Sequence, residues 1–172
     1  MQRILIIGSA GAGKTTLALA MAPRTGLPVF HLDRYAMLPN RLPRTPEARL
    51  AIYAAIMAGD RWIIEGYHPT AQKVLAARAD TVIWMDFGIL VRLQRLCQRQ
   101  LENVGKQRAD MPDGCPDLPL WRMSRMLRRV WRTRHTARKW PLAIAKAPPP
   151  GVRFLRLRSD SDVQDFLAGL PQ

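Results

Sequence analysis

Residues 8–15 read GSAGAGKT and sit directly after RILII. This is the spacing G-x-x-x-x-G-K-[ST], in the strand-then-helix setting that gives it physical meaning. Ile4 to Ile7 deliver the chain to Gly8, and Gly8, Gly11 and Gly13 let the backbone turn tightly with its N–H groups inward. Lys14 opens a helix, TTLALAMA following it, whose N-terminal end faces the same spot. A polyphosphate placed there meets amide donors, an ammonium and a helix end together. Gly8, Ser9, Ala10, Gly11, Ala12, Gly13, Lys14, Thr15 and Thr16 are therefore expected to hold a nucleotide's phosphates. Thr15 can offer its hydroxyl to Mg²⁺.

The rest of the chain alternates short apolar runs with helical patterns. The first helix is expected from Lys14 to Ala22, stopped by Pro23, and LPVFHLD (27–33) reads as a second strand ending in a carboxylate. Thr45-Pro46-Glu47 is a helix start, with an N-cap, a proline in the first turn and an acid after it; Gly59 closes that helix. RWIIEG (61–66) and TVIWMDF (81–87) read as strands, with a short helix over 70–78 between them. GILVRLQRLCQRQLE (88–102) is a helix with Ile89, Leu93, Leu96, Cys97 and Gln100 or Leu101 on one face and Arg92, Arg95 and Arg99 on another. A Pro- and Gly-rich loop follows over 103–119, then a basic helix over 120–139 with the chain broken at Pro141 and APPPG (147–151). VRFLRLR (152–158) is the fifth strand, and Ser161 with Gln164 forms a capping box for a last helix. Near-continuous apolar strands alternating with helices are the pattern of a parallel sheet covered on both faces.

At 172 residues the chain is expected to form one α/β domain with a sizeable core. It has no apolar run near the ~18 residues needed to cross a bilayer. With a strand opening at Arg3 and two cysteines, Cys97 and Cys115, in no metal or redox spacing, a cytoplasmic protein with reduced thiols is expected. The charge is the unusual property. Of 27 Lys and Arg in a chain of net charge +14, thirteen fall in residues 89–140 against four acids. Such a concentration calls for an anionic partner: nucleotide phosphates, nucleic acid or an acidic surface.

GSAGAGKT, VFHLD, WIIEG, ARADTVIWMDF, the Arg-rich helix and the loop RADMPDGCPD together resemble the adenylate-kinase-like branch of the P-loop NTPases. More closely they resemble the bacterial DNA topology modulation or adenylate-kinase-related ATPase group. The resemblance implies a three-layer α/β sandwich with a five-stranded parallel sheet in the order 2-3-1-4-5. It also implies an acceptor-side region at about 34–60 and a helical, Arg-bearing lid within about 92–140. Such proteins often carry Gly-Asn-Tyr after the third strand, where this chain has Gly66-Tyr67-His68.

Three acids, Asp33, Glu65 and Asp86, end strands on the side where open α/β sheets bind ligands. With the implied strand order, Glu65 is nearest the loop and joins Thr15 around Mg²⁺, whereas Asp33, one strand further out, is placed to hold or deprotonate an acceptor hydroxyl. Asp86 is more simply a loop cap. Arg92, Arg95 and Arg99 are suited to grip phosphate and stabilise the charge of the transferring group. His31 on its strand is expected buried and neutral, and His68 is a candidate for the acceptor pocket. Asp110, Asp113 and Asp117 are explained by turn chemistry. The absence of an Asn-Lys-x-Asp segment favours ATP over GTP.

The expected activity is transfer of the γ-phosphoryl group of ATP to a small acceptor with Mg²⁺. Two other readings remain open: a nucleic-acid-associated ATPase using the basic segment and its tryptophans Trp121, Trp131 and Trp140, and a nucleotide-binding regulator with little catalysis.

Overall fold

A computed structural model describes residues 1–68, 71–103, 105–106, 111–112 and 123–171, apart from the side chain of Arg41. Asp110, Asp113, Cys115, Asp117 and Trp121, all singled out in the sequence, lie outside the described residues.

The sheet has five strands, β1 (Arg3–Gly8), β2 (Val29–His31), β3 (Trp62–Glu65), β4 (Thr81–Met85) and β5 (Arg153–Leu157), in the order β2-β3-β1-β4-β5. Every pairing is parallel, with β1 in the centre between β3 and β4. The helices are α1 (Lys14–Thr25), α2 (Leu32–Ala36), α3 (Pro46–Ala58), α4 (Gln72–Arg78), α5 (Ile89–Asn103), α6 (Met123–Arg132), α7 (Thr136–Lys146) and α8 (Asp160–Ala168). This is the expected covered parallel sheet, in the implied strand order.

Side-chain alternation divides the core in two. Ile4, Ile6, Ile63, Ile83 and Met85 point to one face, where Leu17, Ala18 and Met21 of α1 and Leu167 of α8 cover them. Leu5, Ile7, Ile64, Val82 and Trp84 point to the other, under Tyr53 and Met57 of α3, Leu75 of α4, and Trp140 and Ile144 of α7. A strand buried on both faces has no polar side to show, which is why the sequence reads as unbroken apolar runs.

Five local expectations are corrected. The second strand stops at His31, and Leu32–Ala36 is a short helix: Leu32 is buried, and the Tyr53 hydroxyl donates to its carbonyl at 3.3 Å. Asp33 is therefore in a helix's first turn and not at a strand end. Pro23 does not end α1; a proline forfeits one backbone donor, and the helix runs on to Gly26, whose positive φ of 63° closes it. The basic helix over 120–139 is two helices within the described residues, with a break at 133–135. There Arg134 N and Arg138 N donate three residues back, to Trp131 O at 3.3 Å and His135 O at 3.2 Å, so the helical ladder tightens for a turn. Pro141 lies inside α7, buried, and not at a break. Finally, α8 is capped by Ser159 and not Ser161. Ser159 Oγ accepts from Asp162 N at 3.1 Å while Asp162 accepts from Arg158 N at 2.7 Å, an interlocked pair that Ser161 and Gln164 do not displace.

Asp86 follows the parity of Trp84 and so projects to the α7 face. Its carboxylate, 7 % exposed, accepts from Arg138 of α7 at 2.7 Å and from Arg156 of β5 at 2.5 Å. Both guanidiniums also lie over the Trp84 ring, at 5.8 and 4.6 Å. Asp86 thus ties α7 to the sheet edge. Asp86→Ala is expected to lower the unfolding free energy by about 1–3 kcal/mol, since charge-assisted hydrogen bonds are lost. Urea denaturation checks this, and a stability equal to that of the parent would reject the tie.

Candidate active site

The chain leaves β1 at Gly8 and re-enters regular structure at Lys14, so residues 9–13 form the connecting loop. Ala12 N donates to Ser9 O at 3.1 Å, and Gly13, with φ of 91°, caps α1. Gly11 is fixed by its surroundings: at φ of 79°, a Cβ there would run into the Arg92 carbonyl oxygen and the Leu96 side chain of α5. The loop is packed that tightly against α5.

A cavity of about 1140 Å³ opens over this loop, lined by Gly8, Ser9, Ala10, Gly11, Gly13, Lys14, Thr15 and Thr16. Ala12 is absent from that lining; its side chain is fully buried in the core on the α1 face. The cavity is further lined by His31, Asp33, Glu65 and Tyr67 from the β2 and β3 side, and by Arg92, Arg95 and Arg99 from α5. Met126, Arg129 and Val130 of α6, and Thr136, Ala137 and Trp140 of α7, complete its far wall. The structure therefore brings Lys14, Asp33, Glu65, Arg92, Arg95 and Arg99 around one cavity. Asp86 is not among its lining residues; its carboxylate is taken by Arg138 and Arg156.

Glu65 is the centre of the local electrostatics. It follows the parity of Ile63, so it projects on the α1 face, where Thr15 donates to its Oε1 at 3.0 Å. His31 pairs with Glu65 in the β2–β3 register and shares that face; its Nδ1 is 2.9 Å from the same Oε1. Glu65 is 4 % exposed. Burial pushes its pKa up, but the His31 hydrogen bond, the charges of Lys14 and His31, and the Thr15 hydroxyl outweigh that, and the carboxyl titrates below its ordinary value. It stays ionised at neutral pH. His31 is the residue that sequence reasoning under-read. The signal available was a histidine two residues before an acid, on a strand next to one that also ends in an acid.

The α5 arginines are not on a solvated face. Arg92 is 5 % exposed, and its Nε donates to Ala10 O at 3.2 Å. Arg95 donates to Ala12 O at 3.4 Å, pairs with Asp160 at 2.5 Å and stacks over Phe87 at 4.3 Å. The buried line of the helix is Arg92, Leu96 and Gln100; Leu96 and Gln100 are on the expected inner face, and Arg92, expected on the other, joins them. His68 packs edge-on to Tyr53 at 5.3 Å and is not a lining residue; Tyr67 takes that place.

Among the described residues no group of three or more His, Cys, Asp or Glu side chains could hold a metal by itself. Thr15 and Glu65 supply hard oxygen donors, which suits Mg²⁺ brought in with nucleotide phosphates and completed by water. No described helix is long and apolar enough to cross a membrane.

No protein-family model and no curated protein matches the chain. Solved structures do. A shikimate kinase from Acinetobacter baumannii, in complex with shikimate, aligns with a TM-score of 0.59 at 12 % identity, covering 98 % of this chain and 89 % of that one. A shikimate kinase from Bacteroides thetaiotaomicron gives 0.58 at 14 %, over 97 % and 94 %. A sugar kinase from a Janibacter species gives 0.50 at 18 %, over 98 % and 93 %. What this chain shares with them is the fold. At such identities the fold is all that the likeness carries, and the chemistry has to be argued from the site.

A carboxyl whose pKa is lower in the folded than in the unfolded chain stabilises the fold above its unfolded value, and that stability is lost as pH falls through the folded value. Glu65→Gln is therefore expected to flatten the loss of stability below about pH 4.3, the ordinary glutamate value. Urea midpoints measured from neutral to acid pH check this; identical acid slopes in parent and variant would contradict the lowered pKa.

Proposed function

We propose that this protein is a cytoplasmic, ATP-dependent phosphotransferase that moves the γ-phosphoryl group to a small hydroxyl-bearing acceptor. The observation that carries the reading is the loop between β1 and α1, with Lys14 at its end and the Thr15–Glu65 contact beside it, opening on one cavity. Lys14 and the amides of residues 8–16 bind the phosphates. Thr15 and Glu65 hold Mg²⁺, which when bound neutralises phosphate charge. Arg99, with the donors that Arg92 and Arg95 do not spend on the loop, stabilises the transferring group. The whole chain, 1–172, acts as one kinase-like unit, with 34–60 on the acceptor side and 92–140 closing the phosphate side.

The acceptor end favours a molecule rich in hydroxyl donors. Asp33 is the carboxylate that lines the cavity for it. Thr133 and Thr136 line the same cavity from the α6–α7 side, and both spend their hydroxyl protons on backbone carbonyls, so their oxygens are left to accept. Asp33 orients the acceptor hydroxyl. The new bond joins the acceptor oxygen to the γ-phosphorus, the bond from phosphorus to the β–γ bridging oxygen breaks, ADP leaves with the electron pair, and the hydroxyl proton passes to solvent. Within this reading the chain belongs with the adenylate-kinase-like branch.

A second reading, a nucleic-acid-associated ATPase, is favoured by the outer surface of α6. Arg125, Arg128 and Arg132 are exposed there, and Trp131 is 47 % exposed with Arg134 over its ring at 4.5 Å. Binding of single-stranded DNA that weakens steeply with salt would favour it.

An ATP-consumption screen across neutral and acidic polyols, sugars and nucleosides tests the primary reading. Lys14→Ala is expected to abolish both ATP binding and acceptor-stimulated turnover; full turnover in that variant refutes the assignment.

A further inference from the structure

The sequence gives no packing reason for a histidine at position 31. β2 is a three-residue edge strand, and two residues earlier the same face is filled by Val29, an ordinary aliphatic contact. His31 instead lies beside Glu65 in register, with its Nδ1 2.9 Å from Oε1, while Thr15 donates to that same oxygen at 3.0 Å. An ionised carboxylate only accepts, so the tautomer is fixed: His31 carries its proton on Nδ1 and donates it to Glu65. The final torsion of a glutamate is soft, and one contact leaves the carboxylate free to swivel. Two donors arriving at one oxygen from different elements, α1 and β2, hold it in one orientation.

That orientation has a consequence for which form of the nucleotide binds. Glu65 is a buried anion in the wall of the phosphate cavity. Fixed there, it repels a bare triphosphate and attracts one whose charge is compensated by a cation. If it could turn away, both effects would fade. Resting on the phosphotransferase reading above, we propose that His31 is a positioning residue. By pinning Glu65 against Thr15, it makes the site prefer the magnesium complex of a nucleoside triphosphate over the metal-free triphosphate.

The test is calorimetric binding of ATP with excess Mg²⁺ and of ATP with EDTA, on the parent, His31→Ala, His31→Asn and His31→Gln. Groups that orient metal ligands typically contribute about 10–100-fold in metal affinity, so the preference for MgATP over ATP is expected to fall by about 10-fold or more in His31→Ala. Asn places an amide donor where Nδ1 stood and is expected to restore the preference to within about twofold; Gln reaches the Nε2 position instead and is expected to stay impaired. Thermal melting confirms that each variant folds, and if His31→Ala does not, the Asn and Gln pair decides. An unchanged preference in His31→Ala overturns the proposal. So does an Asn variant as impaired as Gln, which would assign the ring a task other than this hydrogen bond. If the parent binds both forms of ATP equally, this proposal alone falls; if it binds neither, the phosphotransferase reading falls and takes this one with it.

Discussion

The alternation of side chains at the carboxyl ends of three parallel strands decides which charges meet the nucleotide loop. Ile63 and Glu65 share the face of Ile4 and Ile6, which α1 covers, so Glu65 arrives at Thr15 on the first turn of that helix. Trp84 and Asp86 share the opposite face, with Leu5 and Ile7, and Asp86 is taken by two arginines there. Glu65 is level with Ile6 of β1, whereas Asp86 follows Met85, which is level with Gly8, so the two acids stand three residues apart along the central strand and on opposite faces. That odd offset separates a group in the phosphate cavity from a structural tie. Asp33 escapes the rule because the chain has already left the sheet.

The second constraint concerns the other side of the loop. A loop that turns its amides toward a ligand turns carbonyls elsewhere, and buried carbonyls need donors. Arg92 and Arg95 of α5 supply them, to Ala10 O and Ala12 O, while Gly11 between these two residues packs on the Arg92 backbone. A cation that satisfies a carbonyl also raises the positive potential felt by phosphate on the far side. Part of the high net charge is thereby explained without solvent-facing partners: the α5 arginines hold the loop and bias its field together.

Much of this was legible in the residues. The strand–loop–helix over 3–22, the strand count and the cap at Thr45 follow from local patterns that tertiary packing does not oppose, and the nearness of Glu65 to Thr15 follows from the implied strand order. Three features were not. On α5 the inner face was read without Arg92, because helical periodicity treats arginine as a solvent residue, whereas here its Nε donates to the Ala10 carbonyl of the loop. The break at 133–135 is a change from i−4 to i−3 backbone bonds at Arg134 and Arg138, a choice that spacing does not reveal. His31 was readable as buried but not as bonded, since its partner is 34 residues away and only the β2–β3 register joins them.

These constraints divide the cavity into parts anchored in different ways. Its phosphate side is held by groups that touch the loop itself: α5 through two carbonyls, Thr15 and His31 through one carboxylate oxygen. Of its far wall, α7 has a separate anchorage, by Trp140 and Ile144 in the core of the opposite face and by Arg138 on Asp86, whereas α6 packs on α5. Residues of α7 that reshape the far wall therefore leave the loop's supports intact. A fold so arranged can change its cavity through α7 while the phosphate machinery stays constant, which is the physical condition for one nucleotide loop to serve unlike acceptors.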